Sequence, residues 1–472
     1  MGVPVGNRGE TRVATQLDVK QKDAQGETAE REPGDPAPSR PRSRKRDRIA
    51  IVSALRSPFA RRGTVFRDLS SLDLSKAVVV ELLARSDVDP RGVDLVVFGQ
   101  AGTSDLAGNL ARDLVLAAGL PRHIRGYTVN SACASSLQAL SCAAESMWAG
   151  QSSVAVVGGA DSASDVPLRV SKRWASVLAD LQRADSWRKK VEALQGLSPR
   201  DWWPGTNDEA SSPSESPLAE SAEKLAKEAG IRREAQDAFA HRSHQRAAAA
   251  WSSGRFEGEV MPIFTGAEFN TVVRQDNAVR QESNLSEYGK FSPVFDKKYG
   301  TVTLANSCAT TDGAGALLLM TESAAKERGV RPLGYLRSWA YAALDPDDSP
   351  LLGPAHATPK ALAEAGLSFQ NLSLVEMHEA SAAQVLSNQE AFASRSFASR
   401  QLGMGQAIGD LHEEILNVNG GSLAMGHPAA ATGTRMVMQL LHELRRRGGG
   451  MGLVTTSALG GLGAALVVEV DS

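Results

Sequence analysis

Two stretches of sequence about 300 residues apart decide the fold. The first, NSACASSLQALSCAAESM, covers residues 130–147, and the second, GHPAAATGTRMVMQLLHEL, covers residues 426–444. Each opens with turn- and cap-forming residues and continues as an apolar helix. Each is followed by a buried strand that runs into glycines, VAVVGGAD at 154–161 and GLVTTSALGG at 452–461. We therefore expect two related halves that arose by duplication of one βαβ-rich unit.

Neighbouring segments extend this α/β pattern. The apolar run that begins at Ile49 and the segment VDLVVFGQ at 93–100 predict buried strands, and residues 72–84 predict a helix. Residues 166–292 hold Trp-, Pro- and Ser-rich pieces and a charged helix, so we expect an inserted loop domain packed over the core. The first core domain would then comprise residues 47–165 and 293–330, and the second residues 331–472.

Composition excludes several classes of protein. The 472 residues suffice for about three domains, and a net charge of −2 gives no overall field that points to nucleic acid or membrane. The three cysteines are too few for a disulfide framework and favour a reducing, cytoplasmic location. No stretch approaches the ~20 apolar residues of a transmembrane helix.

The amino terminus differs from the rest of the chain. Residues 1–46 carry ten Lys or Arg and seven Asp or Glu without a periodic apolar face, which predicts a disordered charged leader. The segment has no apolar core of a secretory signal, and its acidic residues argue against a mitochondrial presequence. The basic run at 40–48 is interpreted as a solvated arm rather than a binding site.

The reactive side chains are expected at turns between strands and helices. Cys133 stands at the start of a helix, where backbone N–H groups and the helix dipole favour a reactive thiolate; a small buried cysteine is the alternative. Cys142 lies further along that helix and is interpreted as a packing residue. His378 follows the strand SLVEM, and His427 lies in a Gly-flanked turn. Together with Cys133 they predict a Cys–His–His site, although each histidine alone could be structural.

Residues 47–470 resemble the thiolase superfamily. The motifs are NSACASSLQA around Cys133, ANSCATTDGAGALLLM around Asn306, MHEASAAQ around His378, NGGSLAMGHPAAATG around His427 and GLVTTSALGGLGAALVVE at the end. They stand in the family's order. HEA in the third block and GGLGAA in the last make the chain most similar to the thiolase (β) subunit of the fatty-acid β-oxidation complex.

The resemblance implies a five-layered αβαβα fold from two duplicated halves, with an inserted loop domain. It implies that Cys133 is a nucleophile that forms an acyl thioester and that His427 activates the thiol. His378 would contribute to an oxyanion site for the thioester carbonyl. A second oxyanion site would use backbone N–H groups at Cys133 and near Leu459, which stabilise charge that develops only in the transition state.

The sequence departs from the family at three places. Ser457 stands where the family has a second catalytic cysteine, which moves the proton at the α-carbon; a serine hydroxyl is a far weaker acid. Ser381 replaces the usual Phe and is expected to open or polarise the acyl pocket. Leu218 and Ala219 replace a Met–Gly pair in the loop domain.

Other positions carry over as expected substrate contacts. Asn306 and Cys308 belong to the second motif, and Cys308 is a candidate to replace the missing cysteine or else a small packing residue. CoA phosphates could meet basic side chains of the loop domain, which could equally be a solvated helix face; these are Arg242, His244 and Arg246. We expect no permanently bound cofactor, no nucleotide-binding glycine loop and no metal site, and CoA thioesters as substrates.

Three functions remain open on this reasoning. The first is a thiolase-type acyl-CoA acyltransferase that makes or cleaves 3-ketoacyl thioesters, with atypical activity because of Ser457. The second is a ketosynthase-like condensing enzyme that uses Cys133, His378 and His427, in which decarboxylation generates the carbanion. The third is a catalytically weak structural homologue. The resemblance implies a homodimer and a complex with a hydratase/dehydrogenase α-subunit.

Overall fold

The computed structural model describes residues 46–102, 108–165, 172–195, 215–266 and 268–472. The predicted leader lies outside the described residues except for Arg46. The described strands are β1 Ile49–Arg56, β2 Ala60–Arg61, β3 Leu95–Gly99, β4 Arg125–Val129, β5 Val154–Asp161, β6 Ile263–Thr265, β7 Thr271–Val273, β8 Thr311–Thr321, β9 Gly334–Ala343, β10 Leu372–Met377, β11 Gly450–Ala458 and β12 Leu462–Val470.

The described helices are α1 Ser71–Arg85, α2 Leu110–Ala117, α3 Ser135–Trp148, α4 Lys172–Arg183, α5 Trp187–Leu194, α6 Glu215–Glu228, α7 Arg233–Ser252, α8 Leu285–Tyr288, α9 Glu322–Glu327, α10 Gly353–Ala365, α11 Ala382–Ala393, α12 Arg395–Leu402, α13 Ser422–Met425 and α14 Thr432–Arg446. The predicted helix at 72–84 corresponds to α1, which begins where Ser70 and Asp73 form a reciprocal capping box. The strands predicted at 93–100 and 154–161 are β3 and β5.

A mixed sheet carries both halves of the molecule. One half has the strand order β4-β3-β5-β8-β1, and the other continues as β9-β12-β11-β10. The halves join through three residue pairs between β1 and β9. β3 runs parallel to β4 and β5, and β10 runs parallel to β11, so the chain crosses over through helices in both halves.

Helices form three layers around these two sheet halves. α3 and α14 lie between them, and their Leu137, Leu140, Val437 and Leu441 share one apolar core with strands of both halves. α1 and α2 cover the outer face of the first half, whereas α10 and α11 cover the outer face of the second. The predicted five-layered α/β architecture is confirmed.

The two central helices approach closely because Gly433 faces α3. A Cβ atom at Gly433 would lie 2.5 Å from Ser136 Oγ and 2.8 Å from Leu137 Cγ. Residue types with a side chain would therefore push the helices apart. This contact fixes the relative position of the Cys133 and His427 turns, which precede α3 and α14.

The segment between β5 and β8 contains α4 to α8 and the β6–β7 hairpin. Its α7 buries Ala247 and Ala250 against Ala424 and Met425 of α13. Ser243 of α7 also donates a hydrogen bond of 2.8 Å to Glu379. The insertion thus packs on the segments that carry the two histidines. None of the described helices combines the length and apolarity needed to cross a membrane.

Candidate active site

Cys133, the predicted nucleophile, lies on a tight turn between β4 and α3. Ala132 has a φ of 49°, in the left-handed region that non-glycine residues rarely adopt. Two side chains hold this conformation. Asn130 Oδ1 accepts from Ala132 N at 3.0 Å, and Ser135 Oγ accepts from Ser131 N at 2.9 Å while donating to Ala132 O at 2.6 Å. The turn presents Cys133 at the beginning of α3.

His427 contacts the Cys133 thiol directly. Nε2 lies 3.1 Å from Sγ, and Nδ1 lies 2.6 Å from Thr432 Oγ1. The thiol can donate to Nε2 only if the ring proton is on Nδ1, from which it is donated to Thr432. In this tautomer His427 is positioned to accept the thiol proton as a general base.

His378 lies beside His427 at the end of β10. The two ring centroids are 4.1 Å apart with an interplanar angle of 32°. Its backbone N–H donates to Thr455 O at 2.9 Å, and its Nδ1 lies 2.9 Å from Ser422 Oγ. Nε2 of His378 is buried and has no hydrogen-bond partner in the described part of the chain. This nitrogen is the group that can act on a substrate.

A short extended segment joins the two histidine turns. Ser307 forms a bridge with Ser381, and Cys308 N donates to Ala380 O at 3.1 Å. At the next residue, Ala309, the carbonyl accepts from His427 N at 2.9 Å. The motif ANSCATT thus lies between the HEA and GHP turns and sets their spacing.

Burial keeps the resting thiol and imidazoles uncharged. It raises the pKa of Cys133 to about 11, although the backbone N–H groups of Leu459 and of Cys133 itself favour the thiolate. It lowers the pKa of His427 to about 3 and that of His378 well below its usual value. Desolvation therefore opposes the thiolate that the N–H groups of the helix start favour, and the expected reactive thiolate stays a prediction.

Asp161 adds a buried carboxylate at the end of β5. It accepts hydrogen bonds from Gly102 N at 2.8 Å and Ala430 N at 2.6 Å, and burial raises its pKa to about 6. When ionised, it raises the pKa of Cys133 further. Sequence reasoning missed this residue, although its place at the end of the strand VAVVGGAD, next to the GHP turn in the fold, is typical of a site residue.

The end of β11 brings Ser457 and Leu459 to the site. The backbone N–H of Leu459 favours the thiolate of Cys133, and its expected role as an oxyanion donor stays a prediction. Ser457 is buried, and its hydroxyl has no hydrogen-bond partner within the described residues. No described base is within hydrogen-bond distance of this hydroxyl, and the impaired proton transfer expected from the serine stays a prediction.

The remaining predicted substrate residues have structural contacts. Asn306 is fully buried; its amide donates to Asp237 Oδ1 at 2.8 Å and its Oδ1 accepts from Thr303 N at 2.7 Å. The Asn306 side chain is not positioned to contact a substrate, because its amide and its carbonyl oxygen are already hydrogen-bonded within the protein. Ser381 caps α11 by accepting from Gln384 N at 3.1 Å. Its hydroxyl is thus turned to the helix rather than presented as a free polar group.

Leu218 and Cys308 are half-buried. Leu218 packs on an apolar cluster that includes Val302 and Ala383. Ala383 is two positions after Ser381 in the chain. Cys308 is not among the three side chains whose functional atoms lie within 4.8 Å of one another. Its assignment as a replacement base stays a prediction.

The three residues predicted to meet CoA phosphates make contacts within the protein. Arg242 pairs with Glu413, and Arg246 donates to the carbonyls of Leu416 and Glu413 at 2.6 and 2.9 Å. His244 is buried, accepts from Arg280 N at 3.1 Å, and has a pKa lowered to about 3 by burial. It offers no cation to a phosphate, and phosphate binding by Arg242 and Arg246 stays a prediction.

The fold also creates a set of donors that sequence spacing does not reveal. The ligand atoms of Cys133, His378 and His427 all lie within 4.8 Å of one another. One cysteine sulfur and two neutral imidazoles are donor types found at Zn²⁺ sites, so these residues have the chemistry to hold such an ion once the Cys133 thiol is deprotonated. These three donors come from distant segments of the chain, so local spacing could not reveal them, and the expectation of no metal site stays a prediction.

Comparison with known proteins agrees with this geometry. The family profile described as "Thiolase, N-terminal domain" matches residues 49–323, and that described as "Thiolase, C-terminal domain" matches residues 330–470. A 3-ketoacyl-CoA thiolase of Klebsiella pneumoniae is 50% identical over 429 residues, which are 91% of this chain and 98% of that protein. A 3-ketoacyl-CoA thiolase of Escherichia coli O7:K1 is also 50% identical over the same shares of both chains.

Solved structures are similar over most of the chain. Human mitochondrial 3-ketoacyl-CoA thiolase superposes with a TM-score of 0.74 at 30% identity, covering 90% of this chain and 99% of the other. The acetyl-CoA acetyltransferase of Bacillus anthracis gives a TM-score of 0.74 at 32% identity, covering 90% and 98%. Family profiles, relatives and site geometry agree, and the chain belongs to the thiolase family.

Proposed function

We propose that the protein is an acyl-CoA acyltransferase that cleaves or makes the C–C bond of 3-ketoacyl-CoA through an acyl-Cys133 intermediate. One observation carries this proposal: Sγ of Cys133 lies 3.1 Å from Nε2 of a neutral His427 whose Nδ1 is held by Thr432. Such a pair can transfer the thiol proton as sulfur attacks a carbonyl. The relatives named above support 3-ketoacyl-CoA as the substrate class and CoA as the acyl acceptor.

In the cleavage direction, Cys133 Sγ bonds to the C3 carbonyl carbon while His427 takes the thiol proton. Negative charge develops on the carbonyl oxygen, where a buried N–H donor is most effective. The C2–C3 bond then breaks and leaves its electron pair on C2, which must take up a proton. The part of the chain from C3 onward stays on the enzyme as acyl-Cys133, and C1 and C2 leave as a CoA thioester. The thiol of a second CoA then accepts the acyl group from Cys133.

The step at C2 is the one that Ser457 affects. A cysteine with a pKa near 8.5 can donate and accept a proton near neutral pH when lightly tuned, whereas a serine hydroxyl is a much weaker acid. The buried Ser457 hydroxyl has no described partner that would activate it. We therefore propose that the natural enzyme forms acyl-Cys133 readily and moves the C2 proton slowly.

The test is thiolysis of a medium-chain 3-ketoacyl-CoA by free CoA, measured for the natural protein and for Ser457→Cys, with Cys133→Ala as the blank. Turnover above the blank that rises in Ser457→Cys is the expected result. Natural turnover that is not raised in Ser457→Cys would show that another group moves the C2 proton. Failure of both proteins would contradict the proposed acyl transfer and favour a catalytically weak homologue.

Decarboxylative condensation is the second candidate. It is favoured by the pair of adjacent imidazoles, 4.1 Å between ring centroids, combined with Ser457 in place of a cysteine. Loss of carbon dioxide from a malonyl thioester leaves the electron pair at C2 directly, so no base is required there. Condensation with malonyl-CoA by a protein that fails to cleave 3-ketoacyl-CoA would favour this function.

The same proposal includes assembly and location. β4 ends the sheet, and its residues are exposed or half-buried, so a second copy could pair along this edge in a homodimer. Similarity to β-oxidation thiolases supports a hydratase/dehydrogenase α-subunit as a partner. None of the three cysteines forms a disulfide, which supports a reducing compartment such as the cytoplasm. Light scattering of the purified chain, alone and with that subunit, tests the assembly.

A further inference from the structure

A buried polar chain leads from His378 away from Cys133. Ser422 Oγ lies 2.9 Å from His378 Nδ1 and accepts from Arg435 Nη2 at 3.0 Å. Arg435 Nη1 donates to Glu376 Oε2 at 2.9 Å. Gln439 Nε2 donates to the other oxygen of Glu376 at 3.1 Å. All of these side chains are at least 97% buried, so they interact with one another rather than with solvent.

The protons in this chain can be assigned by elimination. A guanidinium has only donors, so the hydrogen bond between Arg435 and Ser422 uses a lone pair of Ser422 Oγ. The one Ser422 proton then requires an acceptor, and the acceptor within reach among the described residues is His378 Nδ1. Because a neutral imidazole carries one ring proton, that proton is on Nε2 of His378.

We propose that Ser422 and Arg435 are positioning residues that hold His378 in the tautomer with its proton on Nε2, so that His378 is a hydrogen-bond donor to the substrate. Nε2 is the buried nitrogen of His378 that has no partner in the described structure. The assignment of the tautomer stands on geometry alone. Its consequence for turnover rests on the proposed function.

The neighbouring histidine has the opposite arrangement. Thr432 receives the Nδ1 proton of His427, which leaves Nε2 as an acceptor for the Cys133 thiol. The two adjacent imidazoles thus differ in role, because the Thr432 hydroxyl accepts a hydrogen bond from the His427 ring, whereas the Ser422 hydroxyl donates one to the His378 ring. Arg435 occupies one of the two lone pairs of Ser422 Oγ, and the Ser422 hydroxyl donates because His378 Nδ1 is the acceptor within its reach among the described residues.

Arg435 also acts on the charge of both rings. Desolvation is the main cause that lowers the pKa of both rings; the charge of Arg435 lowers the pKa of His427 further, and His427 and Arg435 both lower that of His378. Glu376 and Gln439 orient the guanidinium on the side away from Ser422. A protonated His378 would have to donate from Nδ1 as well, which conflicts with the Ser422 proton.

The experiment is ¹⁵N NMR of the full-length protein labelled at histidine, recorded at neutral pH. The chain has eight histidines, so His378→Asn identifies the resonances of His378. The expected natural spectrum has a protonated Nε2 and an unprotonated Nδ1 at His378. In Ser422→Ala we expect a mixture of tautomers or the reverse tautomer, and in Ser422→Thr, which keeps the hydroxyl, the natural tautomer.

A matched control separates this effect from the loss of any buried hydroxyl. Ser387 on α11 is also buried, and its hydroxyl has no hydrogen-bond partner within the described residues. Ser387→Ala should therefore leave the His378 resonances unchanged. Natural protein with the proton on Nδ1, or Ser422→Ala with an unchanged tautomer, would overturn the proposal.

Kinetics then connect the tautomer with turnover. For a positioning residue of this kind, we expect Ser422→Ala to lower kcat by about 10–100-fold with little change in KM, and Ser422→Thr to restore most of it. If the natural protein shows no thiolysis, the proposed function fails while the NMR result still decides the tautomer. If thiolysis occurs and Ser422→Ala retains the natural tautomer, this inference fails while the proposed function stands.

Discussion

The candidate active site has an acyl-transfer half and an α-carbon half, which differ in whether their polar atoms have hydrogen-bond partners. Around Cys133, where the acyl group is transferred, the thiol meets His427, and the other ring nitrogen of His427 meets Thr432. At the α-carbon side, two buried polar atoms, Nε2 of His378 and the hydroxyl of Ser457, have no partner among the described residues. Under the proposed mechanism, the acyl-transfer half is therefore complete within the described residues, whereas the α-carbon half depends on its substrate and has no acid with a pKa near neutrality at position 457.

Under the proposed function, the site keeps the acyl-transfer step of the reaction and slows the proton transfer at C2. The Cys133–His427 pair needs only to move a proton from sulfur to Nε2, and Thr432 at the start of α14 fixes the position of the His427 ring. Proton movement at carbon needs a group whose pKa lies near the working pH, and Ser457 does not provide one. The predictions below separate the two halves.

Removal of the nucleophile has the largest expected effect. Cys133→Ala should lower acyl transfer by at least about 10⁴-fold, because no other described thiol lies in the cluster with both imidazoles. Intact-mass measurement after incubation with acyl-CoA should show a single acyl adduct on the natural protein and none on the variant. Cys142→Ser, on the same helix, serves as the control and should keep the adduct. An adduct on Cys133→Ala would contradict the assignment.

Removal of His427, the proposed base, should lower the rates of acyl exchange and thiolysis together. His427→Ala should lower both acyl exchange and thiolysis by about 10²–10⁴-fold, because both begin with attack by the Cys133 thiol. Initial rates for the two reactions measure this. Loss of thiolysis with normal acyl exchange would place His427 in the α-carbon half instead.

The resting charge state of the thiol gives a pH-dependent prediction. With a pKa of about 11, the reactive thiolate fraction of Cys133 should rise about tenfold for each pH unit between 7 and 10. Alkylation by iodoacetamide, followed by peptide mass mapping of Cys133, should therefore accelerate without a plateau over that range. A plateau below pH 8 would show a thiolate stabilised at the helix start.

The smallest effect is expected for Asn306, a buried residue outside the reacting groups, and its loss should change acyl exchange and thiolysis by the same factor. Asn306→Ala removes hydrogen bonds to Asp237 and Thr303 and should lower the free energy of unfolding by about 2–4 kcal/mol. Urea unfolding measures the loss, with Asn284→Ala at the exposed cap of α8 as a milder control. Because Asn306 acts through the segment between both histidine turns, the ratio of exchange to thiolysis should stay constant. A selective loss of thiolysis would instead indicate a substrate contact.

Much of the fold was predictable because its signals are local. The helix-plus-strand repeat at 130–161 and 426–461 predicts the two halves, and the motifs predict Cys133, His378 and His427. The charge state of Cys133 was not predictable, because burial depends on how α3 and α14 pack. Arg435 and Glu376 were missed for the same reason: their role follows from contacts between β10 and α14, 59 residues apart, and not from a motif.

The comparison of acyl exchange with thiolysis in the natural protein tests the account most directly. Transfer of labelled CoA into a medium-chain acyl-CoA needs only Cys133 and His427, whereas thiolysis of the matching 3-ketoacyl-CoA also needs proton movement at C2. We expect exchange to exceed thiolysis by about 10²-fold or more, and Ser457→Cys to raise thiolysis alone. Equal rates in the natural protein, or a Ser457→Cys variant with an unchanged ratio, would contradict the account.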